Sequence, residues 1–134
     1  MTGEGARLHG GRWNHPGYSV CYMAEHPALA LLELMVHLDL PVEYLPRDYV
    51  LMTIRIPDTM ATEDIDHGSP PASPALYGSQ WARQLRTPIL WVPSVVVPQA
   101  YNIILNTAHP EAELVSIQSI EPLAIDPRLT EFTI

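Results

Sequence analysis

From Pro27 to Leu40 the chain reads Pro-Ala-Leu-Ala-Leu-Leu-Glu-Leu-Met-Val-His-Leu-Asp-Leu, and this stretch restricts the possible folds more than any other. Ala, Leu, Glu and Met favour helix. Pro27 suits a first turn because its missing N–H costs nothing there, and Pro41 ends the run. The helix is apolar almost all round, which predicts burial in a core and not a place on the surface. Glu33 and His37 interrupt it, so it falls short of the ~18 uninterrupted apolar residues that a membrane span needs. Met1 to Arg7 hold no apolar secretion segment either. The single cysteine, Cys21, excludes an intramolecular disulfide framework and a cysteine-based zinc site. A reducing cytoplasm is therefore the expected location.

Short strands are expected around this helix. Ser19 to Ala24 and Tyr49 to Ile56 are rich in β-favouring residues, the latter stopped by Pro57. Ile89 to Val97 contains Pro93 and Ser94 and reads as two short strands or one bulged strand. Tyr101 to Asn106 is ambiguous, Glu113 to Ile120 is a clearer strand, and Leu123 to Ile125 is a further fragment. A second helix is expected over Ala75 to Arg86, with Tyr77, Trp81 and Leu85 four apart on one face. Residues 1–17 are glycine-rich and read as loop, and residues 58–74 as an exposed acidic, proline-rich loop. At 134 residues, with neither repeat nor internal boundary, the expectation is one compact α+β domain over residues 1–134.

The chain carries 15 acidic and 7 basic side chains, for a net charge of -8, and every basic one is arginine. Such a surface repels phosphate backbones, so nucleic-acid binding is not expected. One arginine-lined pocket for a smaller anion remains compatible with it.

The stretch from Gly10 to Glu33 holds the parts of such a pocket. A glycine-rich loop delivers Arg12 and Trp13, and an arginine can fork onto a phosphate pair. Tyr22, on the first strand, offers an aromatic face to a flat heterocycle. Glu33 can hold a ribose hydroxyl or stabilise an oxocarbenium-like centre. Each part also has a plainer reading: Arg12 in a surface ion pair, Tyr22 as a core aromatic, and Glu33 satisfied by His37 or an arginine. Glu33 and His37 are spaced like helix metal ligands with His109 as a third, but no HExxH pattern is present and no metal is expected. Ser94 lacks a Gly-x-Ser-x-Gly elbow, and Cys21 reads as a packed, inert thiol. The P-loop and the Rossmann fingerprint are both absent.

These residues resemble a known family. Gly10-Gly11-Arg12-Trp13-Asn14-His15-Pro16-Gly17, then Val20-Cys21-Tyr22-Met23-Ala24-Glu25, then Leu29 to Glu33 with Val36-His37, is similar to the signature of RES-domain toxins. The second half agrees: Trp91-Val92-Pro93-Ser94 to Pro98, followed by Asn102, Leu105-Asn106 and His109-Pro110. The resemblance implies a fold related to ADP-ribosyltransferases and an activity on NAD+, as substrate and with no further cofactor. The family's arginine, glutamate and serine fall on Arg12, Glu33 and Ser94, and a recurrent tyrosine falls on Tyr22. It also implies a toxin of a bacterial toxin–antitoxin pair, neutralised by an Xre-type helix-turn-helix antitoxin. Members hydrolyse or phosphorolyse NAD+, or transfer ADP-ribose to a protein.

The expected roles follow from joining the two readings. Arg12 binds the diphosphate with help from Arg7, and Trp13 and Tyr22 meet the rings of the substrate. Glu33 holds the nicotinamide ribose, Ser94 fixes substrate or arginine, and His37 and Asn106 give support. Family members usually carry a strand and a helix ahead of the glycine-rich loop, and this chain opens almost inside that motif. That predicts an uncovered sheet edge through which copies of the chain associate, or a shortened, non-catalytic module that only docks the antitoxin.

Overall fold

The structure, a computed structural model, describes residues 1–38 and 48–129. In chain order it contains α1 (Glu4–His9), β1 (Val20–Ala24), α2 (Pro27–Leu38), β2 (Val50–Arg55) and β3 (Thr62–Asp64). These are followed by α3 (Pro74–Arg83), β4 (Ile89–Pro93), β5 (Tyr101–Asn106) and β6 (Ser116–Pro122). Short 3-10 turns cover Pro110–Leu114 and Pro127–Leu129. The class is α+β, as the sequence predicts.

Four strands form one sheet in the order β1-β5-β4-β3, and β2 pairs with β6 in a separate two-stranded sheet. β5 runs antiparallel to both neighbours, while β3 lies parallel to β4. Because strand side chains alternate between faces, the larger sheet carries two cores. Val20, Leu90, Val92 and Ile104 point to one face, where Trp13, Trp81 and Ala82 from the glycine-rich loop and α3 cover them. Ile89, Ile103 and Leu105 point to the other, together with Cys21, Met23 and Trp91, and meet Ile54 and Ile56 from the smaller sheet.

Four expectations need correcting. Residues 4–9 form a helix and not a loop. The glycines that signal a break stand at its two ends, Gly3 and Gly10, both with positive φ, and an Arg7–Glu4 pair one turn apart supports the helix between them. The acidic segment 58–74 holds β3, because Ile65 is buried and pulls its flanks against β4. Leu123 to Ile125 form no strand. Leu85 lies beyond the end of α3 with φ 53° and is exposed, so it does not share the face of Trp81, which is fully buried.

The fifth difference concerns α2. The helix forms, but Leu29 is its one buried residue among those described, while Leu32 and Val36 are 41% and 59% exposed. Ala30, Leu34 and Val36 form the wall of a cleft, whereas the exposed Leu32 lies outside it. The expected end at Asp39, Leu40 and Pro41 lies outside the described residues.

Contact between α3 and the glycine-rich loop sets one side of the fold. The Trp13 carbonyl approaches Gly78 so closely that a Cβ there would stand 1.8 Å from its oxygen. One residue on, the Ser79 hydroxyl accepts a hydrogen bond from the His15 N–H at 2.9 Å. Gly78→Ala adds about 1 kcal/mol of intrinsic helix propensity. It should nonetheless lower thermal stability, because separating helix and loop costs about 1–3 kcal/mol or more. Gly5→Ala, where a Cβ meets nothing within 4 Å, should raise the melting temperature. Thermal unfolding of the two variants followed by circular dichroism checks both signs.

Candidate active site

The glycine-rich loop takes its shape from one buried side chain, Asn14, which is 2% exposed. Its amide nitrogen donates to the carbonyls of Ala6, His15 and Tyr18 at 2.9, 3.1 and 3.4 Å. Its oxygen accepts from the Tyr22 hydroxyl at 2.6 Å, and that hydroxyl in turn accepts the Trp13 N–H at 3.0 Å. α1, the loop and β1 are thereby locked together. Gly11 is needed for this approach, since a Cβ there would stand 2.7 Å from the Tyr22 oxygen.

With its neighbours fixed in this way, Arg12 is left exposed on the wall of the cleft. Its guanidinium makes no hydrogen bond or ion pair among the described residues, so the plainer reading of Arg12 as an ion-pair partner is not what the structure shows.

Glu33 lies on α2, one turn after the buried Leu29. Its Oε1 accepts from the Ser94 hydroxyl at 2.9 Å, and its Oε2 accepts from the Asn102 amide at 2.7 Å. Ser94, 2% exposed, sits just beyond β4, where its oxygen also accepts the N–H groups of Val96 and Val97. Asn102 stands in β5 and also donates to the Met23 carbonyl at 3.3 Å. Neutral donors thus orient both carboxylate oxygens without cancelling the charge.

The expected supporters of Glu33 are placed elsewhere. His37 is exposed on the cleft wall and makes no hydrogen bond to Glu33. Asn106 sits at the far end of β5, opposite Val20, where its amide donates to the Ala82 carbonyl at 3.0 Å. It ties β5 to α3 on the same face as Asn102, but at the other end of the strand, and does not reach the carboxylate. The residue that does is Asn102, four positions earlier, and its signal was a polar amide inside an otherwise β-favouring run.

Two further candidates are also displaced. Trp13 touches the cleft, but its ring is 5% exposed and packs edge-on against Tyr77 at 6.3 Å, so it presents no open face. Arg7 is held by Glu4, with its Nε 2.9 Å from Oε2, and does not line the cleft. His109 caps a 3-10 turn through its Nδ1, and no group of three potential metal ligands gathers among the described residues. Desolvation pushes the Cys21 thiol above its ordinary pKa, which keeps it protonated at neutral pH.

Arg12, Tyr22, Glu33 and Asn102 line one cleft of about 1130 Å³. Cys21, Tyr22, Met23 and Ala24 line it in unbroken succession, so the cleft runs along the outer edge of β1. Residues of α2 and β2 form the opposing walls. An unpaired cation, an oriented carboxylate and an aromatic side chain in one cleft with apolar walls suit a ligand that combines an anionic group, a sugar and a flat ring.

A family model described as "RES domain" matches residues 1–127. The chain is 39% identical over 140 residues to a "Prs ADP-ribosylating toxin" of a Sphingobium species, covering 96% of this chain and 86% of the relative. It is 33% identical to a "Toxin Res" of Pseudomonas putida, over 96% of this chain and 92% of the relative. A "Toxin Res" of Yersinia enterocolitica is 35% identical, over 96% and 89% of the two chains.

The geometry makes a prediction for Tyr22. Desolvation raises its phenol above the ordinary value of about 10, and the Trp13 N–H opposes the shift only in part. Above pH 10 the unfolded chain loses this proton first, so the folded state binds more protons and stability falls as pH rises. Tyr22→Phe should flatten that alkaline loss. At neutral pH the same variant should cost about 1–3 kcal/mol, because the buried Asn14 oxygen loses its donor. Denaturant unfolding at pH 7 and across pH 9–11 measures both effects.

Proposed function

The chain belongs to the family of RES-domain toxins, and on that footing we propose that it cleaves the bond between nicotinamide and ribose in NAD+. The observation that carries this reading is the Glu33 carboxylate, aimed by Ser94 and Asn102 into the same cleft as the unpaired Arg12.

Arg12 would take the diphosphate, where a forked guanidinium matches two phosphate oxygens. Glu33, with both oxygens already oriented, would hold the hydroxyls of the nicotinamide ribose and face its anomeric carbon. When the carbon–nitrogen bond breaks, its electron pair moves to the ring nitrogen, which becomes neutral. Positive charge then develops on the ribose, where a fixed carboxylate stabilises it more than it stabilises the ground state. Nicotinamide leaves without a proton, so no general acid is needed. Tyr22, anchored through its hydroxyl, would present its ring edge to the substrate from β1.

An acceptor must then attack the ribose carbon. The reading that a protein side chain does so is favoured by the 39% identity to a relative named for ADP-ribosylation; water or phosphate gives the hydrolytic and phosphorolytic forms of the same step. As a toxin the protein would need a neutralising partner in the cell that makes it, for which we propose an Xre-type antitoxin. No helix among the described residues is long and apolar enough to cross a membrane, and the cytoplasm supplies NAD+.

Incubation with NAD+, with and without phosphate, followed by mass spectrometry should give free nicotinamide. The same incubation with cell extract should show whether ADP-ribose becomes attached to protein. Glu33→Gln should lower kcat by about 100-fold or more, and Arg12→Ala should raise KM by about 10- to 100-fold. Wild-type protein that releases no nicotinamide under either condition overturns the proposal, as does Glu33→Gln with undiminished turnover.

A further inference from the structure

A second cavity, of about 420 Å³, is lined by Asp64, Ile65, Asp66, Trp91 and Tyr101. Its placement follows from strand alternation. Trp91 pairs with Ile103 and Asp64 pairs with Trp91, all on the face turned to the smaller sheet. Asn102, one residue before Ile103, points the other way, towards Glu33. The two cavities share no lining residue.

Aromatic rings form the inner part of this cavity. Trp91 and Tyr101 meet edge to face, with 6.1 Å between ring centres and 64° between their planes, and both are only partly buried. Two exposed carboxylates form the lip. Asp64 and Asp66 flank the buried Ile65 and share one face, about 7 Å apart along the strand direction. Asp64 makes no side-chain hydrogen bond or ion pair among the described residues. Asp66 accepts the Gly68 N–H at 3.1 Å through one oxygen and lies 3.5 Å from the His67 Nδ1. No arginine of the described residues reaches either carboxylate.

Across the sheet the chain shows what such a set of groups accommodates. Glu63, pointing away from this cavity, accepts two hydrogen bonds from Arg86 at 3.1 and 2.9 Å. The same guanidinium stacks over the Tyr77 ring, 5.2 Å from its centroid. Carboxylate, guanidinium and aromatic ring thus form a closed set on one face. The cavity on the other face holds carboxylates and aromatic rings and lacks the cation.

We propose that this second cavity is a docking pocket for an arginine side chain presented by a protein that binds the toxin. A planar guanidinium can stack on Trp91 while its N–H fork reaches the Asp64 carboxylate, a combination that an ammonium matches poorly. The net charge of -8 draws a basic partner surface to this lip. The inference does not depend on NAD+ cleavage, and its test does not read that activity.

The test is a titration of the whole protein with N-acetyl-arginine amide, followed by tryptophan fluorescence. Trp13 and Trp81 are 5% and 0% exposed, so a change reports on Trp91. A saturable change with a half-point on the order of ten millimolar is expected, about the strength of one cation–π contact with one exposed ion pair. N-acetyl-citrulline amide, with the same shape and no charge, should give none, and N-acetyl-lysine amide should bind several-fold more weakly. Asp64→Asn, on an exposed side chain, should keep the wild-type circular dichroism spectrum and weaken arginine binding about 2- to 5-fold. Equal responses to arginine and citrulline, lysine binding as tightly as arginine, or Asp64→Asn titrating like wild type would each overturn the proposal.

Discussion

The hydrogen bonds of Asn14 are the interaction on which the rest of this structure depends. A glycine-rich segment loses more conformational freedom on folding than any other kind, and the segment here has to bring a free arginine to a defined place. One buried amide answers that requirement by tying the carbonyls of Ala6, His15 and Tyr18 to the hydroxyl of Tyr22. α3 then packs on the same loop, through Gly78 against the Trp13 carbonyl and Ser79 against the His15 N–H. Arg12 is exposed at its tip and fixed at its root. That combination suits the capture of an anion that approaches from solvent.

The carboxylate opposite is organised on a different principle. Glu33, Ser94 and Asn102 come from a helix, the end of a strand and the start of another, separated by as many as 69 positions in the chain. A lone carboxylate on an apolar helix next to a cleft would turn freely. Hydrogen bonds to both oxygens hold it to one orientation, and because the donors are neutral the charge stays available to a ligand. Pairing with His37 or an arginine would have oriented it equally well and spent that charge. The apolar exposure of α2 has the same explanation: Ala30, Leu34 and Val36 form the wall of the cleft that Glu33 faces.

The larger sheet divides the chemistry of the molecule between its faces. Residues of one parity on β4 and β5 build the core under the glycine-rich loop and supply Asn102. Residues of the other parity pack against Ile54 of β2 and against Val115 and supply Trp91 and Tyr101. β3, whose three residues fall in a stretch that reads as exposed loop, puts Glu63 on the first side and Asp64 on the second. Adjacent carboxylates therefore meet opposite environments, one closed by Arg86 and one open to solvent.

Much of this was legible in the residues themselves. The α+β class, the strands around Tyr22 and Met52 and both long helices follow from local composition and motif, because propensity and punctuation act over a few neighbours. What the sequence could not decide is which distant groups meet. Trp13 and Arg12 are adjacent and equally suited to a ligand, yet one is sealed in the core and the other is free. Asn102 and Asn106 are alike by sequence and share one face of one strand, but only Asn102 lies at the end where α2 crosses and reaches Glu33. Strand register and helix placement decide such cases, and they are set by packing across the whole chain, which no local pattern encodes.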